Sequence, residues 1–191
     1  MRHNRAVAAL PPVIPTVSTP RLVLRPYAAV DAAAVVALAG DWEVARFLLH
    51  VPHPYPPELA AGWIGTHAET WLAGGGPTWA IARATDREPI GTVSLRWTAR
   101  HARAELGYWL GRAHWGQGYA LEAARAATAW AFEHLEVGRV HAQHLGGNHR
   151  SARTLRALGM QLEGVRRQHL RKGGVLHDVH DYGRLRGDPG P

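Results

Sequence analysis

The chain has 191 residues, 46% of them hydrophobic and 19% charged, with a net charge of +7 and no cysteine. That length suits one domain with a sizeable core, and the composition excludes a wholly disordered chain. The missing thiol excludes disulfides, thiolate metal sites and passage of an acyl group through a cysteine thioester, and no apolar run approaches the ~20 residues of a membrane-spanning helix.

Residues 1–17 combine basic side chains, a weak apolar patch (Ala6–Leu10) and prolines at 11, 12 and 15. They lack the longer apolar core and small-residue cleavage site of a secretory signal, so they read as a flexible tail on a cytoplasmic protein. Arg21–Arg25 alternates in polarity as a strand does. Asp31 is placed to cap a helix over Ala32–Ala39, with Val30 and Val35 as its hydrophobic staple and Gly40 as its stop. Pro56-Pro57 opens a second helix running to Leu72, which Gly74–Gly76 ends. Thr78–Ala84, Ile90–Trp97 and Ala104–Leu110 are three strands whose short connections imply antiparallel neighbours. A Gly-rich turn, 111–118, leads into the longest helix, whose positions Leu121, Ala124, Thr128, Ala131 and Leu135 form one stripe. Arg139–Leu145 is a further strand, and Asn148 caps a short helix ending at Leu158 before Gly159. Gln161–Leu170 and Val175–Leu185 flank Arg171-Lys-Gly-Gly174 as a hairpin. The order is β–α–α–β–β–β–α–β–α–β–β, an α/β (α+β) domain over residues 18–186, with 187–191 expected to fray.

The stretch Glu105–Leu110, then Gly111-Arg-Ala-His-Trp115-Gly-Gln-Gly-Tyr-Ala120, carries the most chemistry. A strand that enters a Gly-rich turn and then a helix N-terminus makes an anion cradle, because bare backbone N–H groups and the helix dipole face the ligand. Gly116 and Gly118 let the backbone approach a pyrophosphate closely. The turn lacks the Gly-Lys-Ser/Thr of a Walker loop and the GxGxxG of a parallel dinucleotide fold.

This turn resembles the coenzyme A pyrophosphate loop of the GNAT-superfamily N-acetyltransferases, in particular the RimJ/RimL-like branch. Thr19-Pro-Arg-Leu-Val-Leu-Arg-Pro26, Asp41–Phe47, Asn148-His-Arg-Ser151-Ala-Arg153, Leu158-Gly-Met160 and Gly174…Asp178…Tyr182 match that branch in order. The resemblance covers residues 18–186. It implies a mixed, mostly antiparallel sheet splayed between two parallel strands, with helices on both faces. It also implies acetyl-CoA as co-substrate, with pantetheine paired to the backbone of Trp109 and Leu110 and the pyrophosphate held by Trp115, Gly116, Gln117, Gly118, Tyr119, Ala120 and Leu121. Trp115 stands where the superfamily often has Gln or Arg, which removes one side-chain contact to phosphate that Arg112 is placed to replace.

An amine must lose a proton to attack a thioester, and Glu105, on the strand ending at the loop, is the best base; alternatively it is a surface carboxylate paired with an arginine. In the resembling branch a serine at the position of Ser151 lies near the sulfur as proton donor, and an asparagine at Asn148 contacts pantetheine. Read locally, Asn148 is a helix cap and Ser151 a first-turn residue. Tyr108 and Tyr119 are alternative acids, or packing residues.

Thirteen histidines invite a metal reading, yet the pairs His141/His144 and His177/His180 lie in strands at odd separation, which sends each pair to opposite faces; no metal is expected. Trp63 and Trp71 share a helix face, in core packing or lining an acceptor pocket. Arginines are spread without a run of like charge. The sequence therefore points to an N-acetyltransferase acting on a primary amine, a protein N-terminus or a small amine. A non-catalytic acyl-CoA-binding relative and a basic nucleic-acid-binding module are the alternatives. The resembling branch often pairs, so a homodimer is among the expected partners, and the sequence leaves the acceptor open.

Overall fold

Among the described residues, 11–189 of a computed structural model, eight strands form one sheet. They are β1 (Val17–Ser18), β2 (Leu22–Arg25), β3 (Thr78–Arg83), β4 (Pro89–Thr98), β5 (Arg103–Leu110), β6 (Arg139–Leu145), β7 (Gln161–Lys172) and β8 (Val175–Leu185). The spatial order is β1-β2-β3-β4-β5-β6-β8-β7, antiparallel throughout except for the parallel pair β5–β6. The helices are α1 (Ala32–Ala39), α2 (Trp42–Ala45), α3 (Pro57–Leu72), α4 (Tyr119–His134) and α5 (His149–Ala157). No described helix is long and apolar enough to cross a membrane.

The sheet separates two apolar clusters, as side-chain alternation along strands requires. Val93 and Leu95 of β4, Leu106 and Leu110 of β5 and Val140 and Ala142 of β6 face α4 and α5. The inner side of α4 is nearly all small, with Ala123, Ala124, Ala127 and Ala131 fully buried, which lets the helix lie close on the strands. On the opposite face Val35, Ala39 and Ala60 pack with Tyr27, Trp63 and Trp109.

The β5–β6 pairing is short. Arg103↔Arg139, Ala104↔Val140 and Glu105↔His141 are in register, and beyond them β5 runs on to Leu110 and β6 to Leu145 without each other. β7 is the outer edge of the sheet, and its register with β8 is broken at Leu162/Gly164 and again at Arg166/Leu170, where Gln168 has φ +48°.

Local chemistry departs from expectation at several points. Val30 is 84% exposed, so the staple does not form. Asp31 does not cap α1; its carboxylate accepts the Ala28 N–H at 2.8 Å and two bonds from Arg25 at 2.7 and 2.9 Å. Burial acts to raise the Asp31 carboxyl, but these donors outweigh it and hold the group below its ordinary range. Residues 11–17, read as tail, lie on the core: Ile14 is buried, and the indole N–H groups of Trp71 and Trp79 donate to the Pro11 and Pro15 carbonyls at 2.8 and 2.6 Å. Residues 1–10 of that tail fall outside the described residues. At the other end Asp188 closes a turn onto the Leu185 N–H at 2.8 Å, and residues 190–191 of the expected fray are likewise outside. The short α2 was missed because four residues carry too little periodicity to read; Asp41 starts it by accepting the Glu43 N–H at 2.8 Å.

His67 of α3 is buried between Trp63 and Tyr27, and among the described residues neither ring nitrogen has a hydrogen-bond partner. Burial pushes its imidazole down to about 4, from an ordinary value of 6.5. The unfolded chain then binds the extra proton first, so this group's contribution is intact above pH 6.5 and is lost as pH falls toward 4. Thermal melts of the wild type and His67→Phe are expected to converge in acid, the wild type losing about 2 kcal/mol more than the variant between pH 7 and 4.

Candidate active site

The divergence of β5 and β6 opens a cleft of about 640 Å³ that passes from one face of the sheet to the other. The Gly111 N–H bonds the Ile90 carbonyl at 2.9 Å, and β4 pairs with β5 in the register Gly91↔Leu110. Antiparallel alternation then turns Trp109 toward β4 and the backbone of Tyr108 and Leu110 toward the cleft. Of the two residues expected to meet pantetheine, Leu110 turns its backbone to the cleft, as Tyr108 does, while the Trp109 backbone faces Thr92 of β4. The Leu110 N–H is directed at the cleft, while its carbonyl accepts the Trp115 indole N–H at 2.8 Å.

At the cleft's end lies the Gly-rich turn. Gly116 and Gly118 have φ of +76° and +81°, conformations that L side chains rarely take. Gly118 is the N-cap of α4, and the first intrahelical bond runs from the Glu122 N–H to the Gly118 carbonyl at 3.0 Å. The N–H groups of Tyr119, Ala120 and Leu121 therefore have no partner in the helix and present an electropositive end. The Gln117 amide is spent within the turn, donating to the Ala113 carbonyl at 3.0 Å.

Arg21 and Glu122 hold this turn in place, and neither was a sequence candidate. The Glu122 carboxylate accepts Thr19 Oγ1 at 2.7 Å, the Arg21 N–H at 2.9 Å and Arg21 Nε at 2.7 Å. Arg21 also donates to the Gln117 carbonyl at 2.9 Å and lies 4.7 Å from the Tyr119 ring centroid. Burial acts to raise the Glu122 carboxyl, and these donors together keep it below its ordinary range. A carboxylate in the first turn of α4 is thereby neutralised and does not oppose an incoming anion. Beside Trp115, the Arg150 guanidinium stacks 4.4 Å from the indole centroid and lines the cleft, whose lining does not include Arg112.

Glu105 stands at the last β5–β6 register pair, where the strands part. Its carboxylate accepts Arg96 Nη1 at 3.2 Å and Gln143 Nε2 at 3.3 Å, and it lines the cleft. The two readings of Glu105, base and ion-paired carboxylate, are compatible. On the α4/α5 side, the Asn148 side chain accepts the Ser151 N–H at 3.1 Å and so caps α5. Ser151 Oγ shares a hydrogen bond with Tyr108 OH at 3.0 Å. Burial pushes the Tyr108 phenol up to about 12, partly offset by its bonds to Ser151 and Thr154, so it stays protonated at neutral pH. Both Ser151 and Asn148 border the cleft. The carboxylate and the hydroxyl pair thus reach it from opposite faces of the sheet.

Tyr119 lies under the Arg21 guanidinium and also borders the cleft. His144 is stacked on His180 at 4.9 Å between centroids, across β6 and β8. The helix α3 divides its two tryptophans: Trp71 packs in the core against Trp130 at 6.2 Å, while Trp63 borders the cleft.

The model of the acetyltransferase (GNAT) domain matches residues 21–161. The uncharacterized N-acetyltransferase YoaA of Bacillus subtilis is 33% identical over 171 residues, 89% of this chain and 96% of YoaA. Two solved structures share the fold. A ribosomal-protein alanine acetyltransferase from Vibrio fischeri superposes with TM-score 0.80 at 20% identity, covering 93% of this chain and 100% of that one. RimL, a ribosomal alpha-N-protein acetyltransferase in complex with coenzyme A, gives TM-score 0.80 at 21% identity over 90% and 98%.

A Cβ at position 118 would be held at φ +81° and 3.3 Å from Arg21 Nη2. Gly118→Glu adds left-handed strain and a negative charge at the helix N-terminus, and is expected to weaken coenzyme A binding, read by calorimetry, about tenfold to a hundredfold.

Proposed function

Because this chain belongs to the GNAT acetyltransferase family and is an N-acetyltransferase, we propose that the divergence of β5 and β6 binds acetyl-CoA and passes its acetyl group directly to a primary amine. One observation carries this reading: bare N–H groups at a helix N-terminus, exposed strand backbone, a carboxylate and a hydroxyl pair border a single cleft. Residues 116–121 hold the diphosphate, the Tyr108 and Leu110 backbone pairs with the arm as an added strand would, and the Arg150 guanidinium adds positive charge beside the turn.

Acetyl-CoA supplies an activated thioester. Glu105 takes a proton from the acceptor ammonium, directly or through water, freeing the electron pair that attacks the acetyl carbon. The carbon–sulfur bond then breaks, the Ser151–Tyr108 pair delivers a proton to the departing thiolate, and the second proton that the nitrogen sheds as the amide forms returns to that pair through water. Asn148 fixes Ser151 by bonding its N–H. Tyr108, kept neutral by burial, holds a proton beside Ser151 Oγ and supports the donor role of the pair.

The chain has no cysteine, so a thiol reagent reads released coenzyme A without background from the protein. In that assay Glu105→Gln is expected to lower turnover by about 10²–10⁴-fold at neutral pH, less so as pH rises and the amine deprotonates unaided. Ser151→Ala and Tyr108→Phe should each lower kcat with little change in coenzyme A affinity. A Glu105→Gln enzyme with wild-type turnover at every pH removes the base assignment.

A further inference from the structure

Resting on the acetyl-transfer reading above, we infer that the acceptor is a small primary amine carried on a flat aromatic body, bound on the α1/α3 face of the cleft. The register pairs Arg96↔Glu105, Ser94↔Gly107 and Thr92↔Trp109 set the side chains of these residues on one face of the sheet, as its floor. Gly107 leaves the floor bare between Glu105 and Trp109, and a Cβ there would stand 3.1 Å from Ser94 Oγ. A flat ring fits over such a recess, with its amine toward Glu105.

The walls are apolar: Phe47 and Leu48 after α2, Trp63 of α3 and Leu170 of β7. Trp63 is braced from behind. Its ring meets His67 edge-to-face at 4.4 Å and 89°, and Tyr27 at 5.3 Å. Tyr27 is in turn pinned to β4 through Thr92 Oγ1 at 2.6 Å and the Gly91 carbonyl at 3.0 Å. A rigid aromatic wall binds a ring at little cost in ordering.

The charge pattern selects for one cation. Within this face the Glu105 carboxylate is 24% exposed, while its partner Arg96 is 73% exposed and screened by water. The second acidic group, Glu43, is already paired with Arg46 at 2.9 Å. One ammonium finds a partner, whereas the further cations of a polyamine or an aminoglycoside meet apolar walls.

The two walls are also tied together. Lys172 Nζ, two residues beyond Leu170, donates to the Leu48 carbonyl at 2.7 Å and to the Val51 carbonyl. This strap joins the tip of the β7–β8 hairpin to the segment after α2 and so couples the wall residues Leu170 and Leu48.

The test uses the full chain with acetyl-CoA and four acceptors: 2-phenylethylamine, ethylamine, spermidine and a hexapeptide with a free N-terminus. The expected result is a kcat/KM for 2-phenylethylamine at least about tenfold above each of the others. Trp63→Leu, which keeps an apolar residue in the cluster, should raise its KM about tenfold with kcat little changed, a larger loss than the same variant shows with ethylamine. A preference for spermidine or the peptide, or an unchanged KM in Trp63→Leu, overturns this inference while acetyl transfer stands. Coenzyme A release with none of the amines overturns both readings.

Discussion

The fold turns on a place where two neighbouring strands stop pairing. Three register pairs hold β5 to β6, and past Glu105↔His141 each strand presents backbone donors and acceptors to an empty gap rather than to a neighbour. Such groups cannot be left dry, since each costs free energy comparable to a lost hydrogen bond. A protein that keeps them unpaired in the middle of its sheet must let water in or receive a ligand that completes the ladder. The sheet elsewhere makes the gap possible: β6 is held on its far side by seven register pairs with β8, and β5 by eight with β4. The opening is a rigid slot, and chemistry can be assembled on it from both faces.

That rigidity extends to the anion-binding turn through residues far away in the chain. Thr19 and Arg21 reach the Glu122 carboxylate across about a hundred positions and tie the start of the domain to the first turn of α4. The same helix end must be electropositive toward a ligand and yet carries a glutamate. The conflict is resolved by satisfying the carboxylate sideways, with three donors, so that the axial N–H groups stay available. Trp115 plays a matching part on the other flank, where its indole N–H secures the Leu110 carbonyl and its face supports Arg150.

Much of this was legible in the sequence where one local signal dominated. The ends of α1 and α3 and the span of β6 follow from Pro57, the glycines at 40 and 74–76, and simple alternation over Arg139–Leu145. The turn at Gly116 and Gly118 was legible because only glycine sits easily at those backbone angles. Partners distant in the chain were not. Nothing near Glu122 announces Arg21, and nothing near Pro11 or Pro15 announces the two indoles that draw residues 11–17 onto the core. Strand parity was also out of reach, because which of Trp109 and Tyr108 turns its backbone to the gap depends on the register with β4, a property of two strands rather than one. Asp31 shows local reasoning outcompeted: a good capping residue was claimed by a nearby guanidinium.

The outer strand, β7, is twelve residues long and lies at the rim of the sheet, with Leu162 and Val165 roughly half exposed. A straight rim of that length would template stacking of one molecule on the next. The two breaks in its register and the left-handed Gln168 interrupt it, and Arg167 and Arg171 add positive charge along it, while Arg166 is paired with Asp181. Removing the kink while neutralising those arginines would leave a longer uninterrupted edge, open to pairing with another strand. The irregularity that looks like poor strand geometry blunts an edge that regular geometry would leave open.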